Sequence, residues 1–526
     1  MKPAGTLQED LLRPGMELRE THISWVFLME EEVWKVKKPV SLGFLDFGTP
    51  EKRRLACEAE IRLNRRLSPE VYLGVVPICL GENARRTIGG RGTVVDWAVH
   101  MRRLPDRDRA DVRLTQGRLS SAHLERAAEV LARFHRDCGV TEEANRYGAV
   151  SAIRFNVQEN FDQTRSTILH HLSRQQAAEV ERWQLRFLDE RAALFEERIR
   201  KGRVRDGHGD LRLEHVYIDD RGPLAVVDCI EFNERFRFAD VCADVVFLAM
   251  DLAWHGRVDL AERFLAFYAR EADDYGLYPL VDFYESYRAF VRGKIASMIA
   301  ADAAMSRRVR ERAGEEARRY YLLALASGRR PLRPPMVLAV GGVIASGKST
   351  IARHLGAEMS APVVESDRTR KLMLGVEKTR PLLEKPWEGS YSAALTERVY
   401  GEIFRSAQAV LASRRPVVLD ASFRSRAHRT AARRIASANG VPFLFVECRA
   451  SDSVIRQRLR SRERETSVSD GRLEIWDDFT SRWEPVEELG RAEHVVLDTS
   501  RPVEESLSAF RRRARSAVSE FRKDET

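Results

Sequence analysis

Met336-Val-Leu-Ala-Val-Gly341-Gly342-Val-Ile-Ala-Ser346-Gly347-Lys348-Ser349-Thr350 is an apolar run that breaks into a glycine-rich loop ending in Gly-Lys-Ser-Thr. The apolar run reads as a buried strand and the residues after the loop as the start of a helix. Gly342-x-x-x-x-Gly347-Lys348-Ser349 therefore stands in the strand–loop–helix setting that a phosphate-binding P-loop requires. Gly342 and Gly347 let the backbone wrap a phosphate, with Ser346 and Thr350 as neighbouring contacts. Lys348 reaches the outer phosphates, Ser349 offers a hydroxyl to Mg²⁺, and the helix turns its positive end to the ligand. The pattern predicts that the last third of the chain binds ATP with Mg²⁺.

Working outward, Ser327-Gly-Arg-Arg-Pro331-Leu-Arg-Pro334-Pro335 precedes this strand and reads as a linker, because it combines a flexible glycine with prolines that lack N–H donors. It divides a first domain, 1–328, from a linker, 329–335, and a P-loop domain, 336–526. The second domain alternates strand and helix patterns: strand 336–341, helix 348–358, strand 362–366, helix 392–413, strand 416–420, helix 426–438, strand 442–447, then helix from about 451. This predicts an α/β fold with a mostly parallel sheet covered on both faces. The first domain opens with short strand candidates, Ser24–Met29, Val33–Lys37, Val75–Cys79 and Thr93–Met101, with a helix over 51–67. Helices follow at 121–137, 151–171, 176–200 and 240–328, interrupted by a small strand pair at Val216–Ile218 and Ala225–Cys229. Strands first and helices after predict an α+β, two-lobed layout with a cleft.

The chain has 526 residues, too many for one hydrophobic core, and its 44% hydrophobic and 32% charged content is that of a globular protein. No run of eighteen apolar residues occurs and the first residues carry no apolar signal core, so a soluble cytoplasmic protein without membrane contact is expected. The six cysteines are scattered and make no C-x-x-C pair, which suits buried thiols in a reducing compartment. A formal charge of +9 points modestly to an anionic partner.

Beyond the P-loop, Val364-Glu-Ser-Asp367-Arg368-Thr-Arg370 follows the second strand. Asp367 is placed to take a proton from an attacking hydroxyl, and Arg370, one helical turn on, to clamp a substrate phosphate. Pro416-Val-Val-Leu-Asp420-Ala-Ser422-Phe-Arg424 is a Walker B-like strand in which Asp420 holds Mg²⁺ through water while Ser422 and Arg424 open towards the acceptor. Arg456-Gln-Arg458-Leu-Arg460-Ser-Arg462 leads into a polar loop, as a lid over ATP requires. Arg458 and Arg462 share one face, Arg456 and Arg460 another; the first pair is preferred for its proximity to the lid loop. The Asp-x-x-Arg element resembles that of phage-type polynucleotide 5′-kinases, with related placements in gluconate kinase-like and zeta-toxin-like enzymes.

In the first domain, Gly207-His208-Gly209-Asp210-Leu-Arg-Leu-Glu-His215 precedes one short strand, and Asp228 ends the next. A turn between the strands would bring both carboxylates to one end of a hairpin, one to deprotonate a hydroxyl and the other to hold Mg²⁺. Here the sequence resembles the aminoglycoside phosphotransferase and choline kinase-like family, whose catalytic loop reads His-Gly-Asp-x-x-x-x-Asn with a metal-binding Asp after a strand. The resemblance implies a protein-kinase-like bilobed fold, with Asp210 as catalytic base and Asp228 as metal ligand. His215 occupies the position of the metal-facing Asn, and an imidazole does not supply the carbonyl oxygen that Mg²⁺ prefers. Lys35, alternating with Trp34 and Val36, is the choice for the phosphate-contacting lysine, with Lys37 on the same side; Glu60 or Glu58 would pair with it. Val99-His-Met101 resembles the hinge that receives adenine. By the same resemblance Asp240 would brace the catalytic loop.

Together the parts resemble a bacterial two-domain family, an aminoglycoside phosphotransferase-like domain fused to a P-loop domain labelled AAA. Three readings follow. In the first, the P-loop domain transfers the γ-phosphoryl group to a hydroxyl, the acceptor being an anionic or polyol-type small molecule or a polynucleotide 5′-OH. In the second, both domains are kinases. In the third, the first domain binds a ligand without turnover and regulates the second.

Overall fold

The structure is a computed structural model and describes residues 6–42, 45–326, 332–382, 384, 387–462 and 468–521. Of the linker expected at 329–335, residues 329–331 fall outside the described residues. The chain packs as two units, Met1–Arg257 with Phe283–Leu325, and Val258–Asp282 with Ala326–Thr526.

The first unit begins with a six-stranded antiparallel sheet built from β1 (Glu17–Glu20), β2 (Ser24–Leu28), β3 (Glu32–Lys37), β4 (Tyr72–Leu80), β5 (Arg86–Ile88) and β6 (Thr93–Arg102). Its spatial order is β1-β2-β3-β6-β4-β5. The helix α1 (Pro50–Asn64) starts where the Thr49 hydroxyl accepts from the Lys52 N–H and proline sits in the first turn. α1 buries Cys57 and Ile61 against Val71, Tyr72 and Val99, while Phe27, Val36, Ile78 and Ala98 pack with Leu11 in a second cluster. The edge strands β1 and β5 went unforeseen because Glu-Leu-Arg-Glu and Arg-Thr-Ile carry little apolar signal.

Helices α2 (Ser121–Asp137), α3 (Val150–Thr164) and α4 (Arg174–Glu190) follow, then β7 (Val204–Asp206). The expected strand pair is the antiparallel hairpin of β8 (Val216–Tyr217) and β9 (Ala225–Val226). β10 (Phe238–Asp240) pairs with β7 and leads into α5 (Val241–Trp254), which is buried from Val241 to Leu252. The helix α6 (Val258–Ala272) belongs to the second unit. α7 (Tyr278–Ala301), from its second turn, and α8 (Arg307–Ala326) complete the first unit.

The second unit contains a five-stranded parallel sheet. Its elements are β11 (Val337–Gly341), α9 (Lys348–Met359), β12 (Val363–Glu365), α10 (Ser366–Met373), α11 (Ala393–Ala412), β13 (Val417–Asp420), α12 (Arg426–Ala438), β14 (Phe443–Arg449), α13 (Asp452–Arg462), β15 (His494–Asp498) and α14 (Val503–Phe521). The strand order is β12-β13-β11-β14-β15, which puts the P-loop strand in the centre. β11 pairs in parallel with β13 on one side and β14 on the other. Leu338, Val340, Ile351, Leu355, Val418, Val446 and Leu507 pack between strands and helices as one core. β15 is a strand that the sequence reading, ending in a helix from about 451, did not resolve. In a parallel sheet all carboxyl ends open to one edge, and the loops leaving that edge carry the polar residues considered next.

Candidate active site

In the second unit the loop after β11 is open for a phosphate. Gly342 has φ +144°, and a Cβ there would lie 2.4 Å from the Cys448 carbonyl oxygen and 2.6 Å from Ser346 Oγ. Gly347, at φ +83°, begins α9 without a side-chain cap, so the first N–H groups of that helix face the loop. Ser346 Oγ is buried and has no hydrogen-bond partner among the described residues. Lys348 Nζ donates to the Val343 carbonyl at 2.8 Å, folded back over the loop. Ser349 and Thr350 lie in the first turn of α9.

Asp420 ends β13, in register with Val340 of the P-loop strand and with Glu365 at the end of β12. Its carboxyl is pushed up to about 7, by burial first and then by the charge of Glu365; Lys348 and a hydrogen bond with Ser349 work the other way, and Asp367 adds to the rise. Glu365 and Asp367 therefore stand close enough to Asp420 to act on its charge, and Lys348 and Ser349 reach the same carboxylate. Sequence reading found two of these three carboxylates. Glu365, two residues before Asp367 at the end of a buried strand, was the available signal for the third. This donor set, the glycine cradle and the unpartnered Ser346 hydroxyl fit ATP with Mg²⁺: the loop and Lys348 would hold the phosphates, Ser349 and Asp420 the ion.

Arg458 lies against the same loop, donating to the Ala345 carbonyl at 3.2 Å and the Thr499 carbonyl at 2.5 Å. Thr499, just past β15, donates its hydroxyl to the Ser346 carbonyl at 2.7 Å and was not singled out from sequence, since β15 itself was not. Of the other face, Arg456 pairs with Asp477 at 3.2 Å and Arg460 is exposed. The Arg462 side chain lies outside the described residues.

Arg370 departs from its expected role. It is 6% exposed, donates to the Ser390 carbonyl at 2.6 Å and stacks 4.6 Å over the Tyr391 ring. It holds the turn at 389–391 instead of standing free as an acceptor clamp. Arg424 makes no ion pair within 4 Å among the described residues and lies 4.1 Å over the Trp387 ring. Arg482 stands 4.4 Å from the same ring, and Phe479 stacks beside it. These positions are remote in sequence, which hid an aromatic and basic cluster next to Ser422. Ser422 in turn contacts the Tyr400 hydroxyl at 3.2 Å and accepts from the Gly342 N–H at 3.0 Å.

The cleft of the first unit is built differently. Lys35 and Lys37 point the same way from β3 and share one buried carboxylate, Glu60: Lys35 Nζ at 2.9 Å and Lys37 Nζ at 2.5 Å. Lys35 also meets Asp228 at 2.5 Å, and Lys37 meets Glu231. Burial works against the charge of Lys35, but Asp228 and Glu60 outweigh it and hold its pKa well above the ordinary lysine value. Glu58 instead lies 3.4 Å from Arg54 at the surface. The Met101 backbone is in register with Val33 and Tyr72 inside the sheet, and its side chain packs against the cluster that includes Ile61, Val71, Tyr72 and Val99. Within the expected hinge, Met101 thus contributes an apolar wall.

Asp210 is gripped by Arg212 through two bonds, 2.9 and 3.0 Å, which with His215 overcome burial and hold its carboxyl far below the usual range. His215 Nδ1 donates to the Asp210 carbonyl at 2.7 Å, and its Nε2 lies 3.6 Å from Asp228. Asp228 takes φ +66°, a left-handed conformation that few residues other than glycine adopt. The expected brace is corrected: Asp244, not Asp240, accepts from the His208 N–H at 2.5 Å and the Gly209 N–H at 2.8 Å. Asp240 is held by Arg198 and caps α5. With an imidazole where an oxygen donor belongs, Asp228 tied to Lys35 and Asp210 to Arg212, the residues His215 and Asp228 do not fit a Mg²⁺ ion, and no step through a metal is derived for this cleft.

The Phosphotransferase enzyme family matches residues 44–284 and the AAA domain residues 337–486. The uncharacterized protein Rv2004c of Mycobacterium tuberculosis is 33% identical over 512 residues, covering 96% of each chain. The chain belongs to its family. Among solved structures, a gluconokinase from Sinorhizobium meliloti 1021 matches with 23% identity and TM-score 0.28, covering 36% of this chain and 98% of its own. A choline/ethanolamine kinase family protein from Mesorhizobium loti matches with 10% identity and TM-score 0.35, covering 59% of this chain and 91% of its own. The family thus joins a phosphotransferase-type, kinase-like domain to a P-loop domain. No described helix is long and apolar enough to cross a membrane, and all six cysteines are buried and free.

Proposed function

We propose that the chain is an ATP-dependent kinase that transfers the γ-phosphoryl group to a hydroxyl acceptor in its P-loop unit. The supporting observation is the glycine loop of 342–349, with its unpartnered Ser346 hydroxyl, whose Lys348 and Ser349 reach Asp420 while Glu365 and Asp367 act on that same carboxylate. Bound Mg²⁺·ATP supplies the phosphoryl group. Lys348 would exchange the Val343 carbonyl for an outer phosphate oxygen, and Ser349 with Asp420 would hold the ion. Asp367 accepts the proton of the acceptor hydroxyl as the new O–P bond forms and ADP leaves. Arg458 balances charge at the rim of the loop. Arg424 supports an anionic acceptor, a small phosphorylated or polyol-type metabolite ahead of a 5′-OH polynucleotide. The buried reduced thiols agree with a cytoplasmic site of action.

For the first unit, the grip of Arg212 on Asp210 favours binding of a ligand without turnover, in a regulatory role, over a second kinase activity. The test is ³²P transfer from ATP to a panel of sugars, sugar phosphates, nucleosides, aminoglycosides and 5′-OH RNA and DNA. The reading expects at least one acceptor to be labelled by the wild type and not by Lys348→Ala. Labelling that survives Lys348→Ala would overturn it.

A further inference from the structure

The P-loop unit contains a segment that sequence and family assign to the other domain. Residues 258–282 fall inside the 44–284 family match yet pack with the P-loop sheet. Three contacts carry that packing. Tyr275, 5% exposed, donates its hydroxyl to the Val363 carbonyl in β12 at 2.6 Å. Arg415, just before β13, pairs with Glu262 at 2.8 Å and Asp282 at 3.0 Å. Glu271, its side chain 5% exposed, faces Arg368 with two hydrogen bonds, 3.2 and 3.1 Å, and takes Lys378 at 2.7 Å. Arg368 also donates to the Arg270 carbonyl at 3.0 Å and reaches Glu365 at 4.0 Å.

Arg368 is the residue after Asp367 in the first turn of α10, and Lys378 follows that helix. Glu271 therefore grips α10 in its first turn and the chain just beyond its end, and Tyr275 fixes the strand that feeds it. β12 and α10 carry Glu365 and Asp367, and β13 carries Asp420, so all three acidic groups of the active centre stand on elements pinned by this segment. A two-bond guanidinium–carboxylate contact fixes direction as well as distance. Displacing a reacting group by about 1 Å can cost about 100-fold in rate.

We propose that Glu271 is a positioning residue for Asp367, acting through Arg368. The P-loop active centre is then completed by a segment from outside the P-loop sequence. This rests on the kinase reading of the second unit. The test uses the full chain with ATP and water as the acceptor, following phosphate release.

Glu271→Gln should lower kcat about 10- to 100-fold with KM for ATP within twofold of wild type. Glu271→Asp and the exchange Glu271→Arg with Arg368→Glu should each recover part of the loss. Tyr275→Phe, which removes one bond and no charge, should lower kcat by about 2- to 5-fold. If Lys348→Ala and Asp367→Asn abolish turnover while Glu271→Gln keeps kcat within twofold, the positioning role is wrong and the kinase reading stands. A Glu271→Gln loss that neither Asp nor the exchange recovers, or one that appears in KM, also overturns it. Turnover that survives Lys348→Ala removes both.

Discussion

The two clefts of this chain handle charge in opposite ways. In the first unit, Lys35, Lys37, Glu60, Asp228 and Glu231 neutralise one another, and Asp210 is forked by Arg212. In the second, Ser346 Oγ is buried without a partner among the described residues, Lys348 rests on a carbonyl, and Asp420 is raised to about 7 by burial and then by the neighbouring acids. A site whose charges cancel internally gains little from adding phosphate and metal. A site that holds surplus acid beside an amide cradle gains from both partners at once. On the proposed reading, the first cleft is the one for binding and the second the one for transfer.

The comparison breaks most visibly at Asp367. Asp367→Asn should reduce acceptor labelling about 10²- to 10⁴-fold, read by initial rates at saturating ATP, because the acceptor hydroxyl loses its proton acceptor. If the rate stays within threefold, the base lies elsewhere.

The comparison sharpens at His215. Restoring an oxygen donor with His215→Asn should tighten Mn²⁺ binding by the first unit about 10-fold, measured by electron paramagnetic resonance in a Lys348→Ala background with nucleotide present. No change would mean that the Lys35–Asp228 pair, not the imidazole, excludes the ion.

The smallest effect is in pH. Asp420 has a folded pKa near 7 against an ordinary 3.8, so the folded protein keeps a proton that the unfolded chain has already lost. Its contribution to stability is full below about pH 4 and is lost as pH rises to about 7. Without ligand, the Tm of Asp420→Asn should gain on that of wild type between pH 5 and pH 8. Saturating Mg²⁺·ATP should narrow the gap. A constant difference across that range would remove the raised carboxyl from the account.

Much of the second unit was legible because local signals there coincide. The P-loop glycines are forced by backbone conformation, and the apolar runs of β11, β13 and β14 are buried from both sides. β15 was not legible, since His-Val-Val-Leu-Asp is short and follows a long polar stretch. Arg370 misled because spacing from Asp367 says where a side chain starts and not which carbonyl it finds. Asp244 and Asp240 are four residues apart on or beside one helix, and only their partners, two loop N–H groups against Arg198, tell them apart. Trp387, Arg424, Phe479 and Arg482 meet only in three dimensions. The role of residues 258–282 was hidden because helical periodicity does not say which core a helix joins.

The most direct test places Lys348→Ala and Asp210→Ala side by side in the full chain, in single-turnover transfer from [γ-³²P]ATP to whichever acceptor the wild type labels. The account predicts transfer lost with Lys348→Ala and kept within about threefold with Asp210→Ala. Transfer intact without the Lys348 ammonium and abolished without the Asp210 carboxylate would contradict it, and would move catalysis to the first unit.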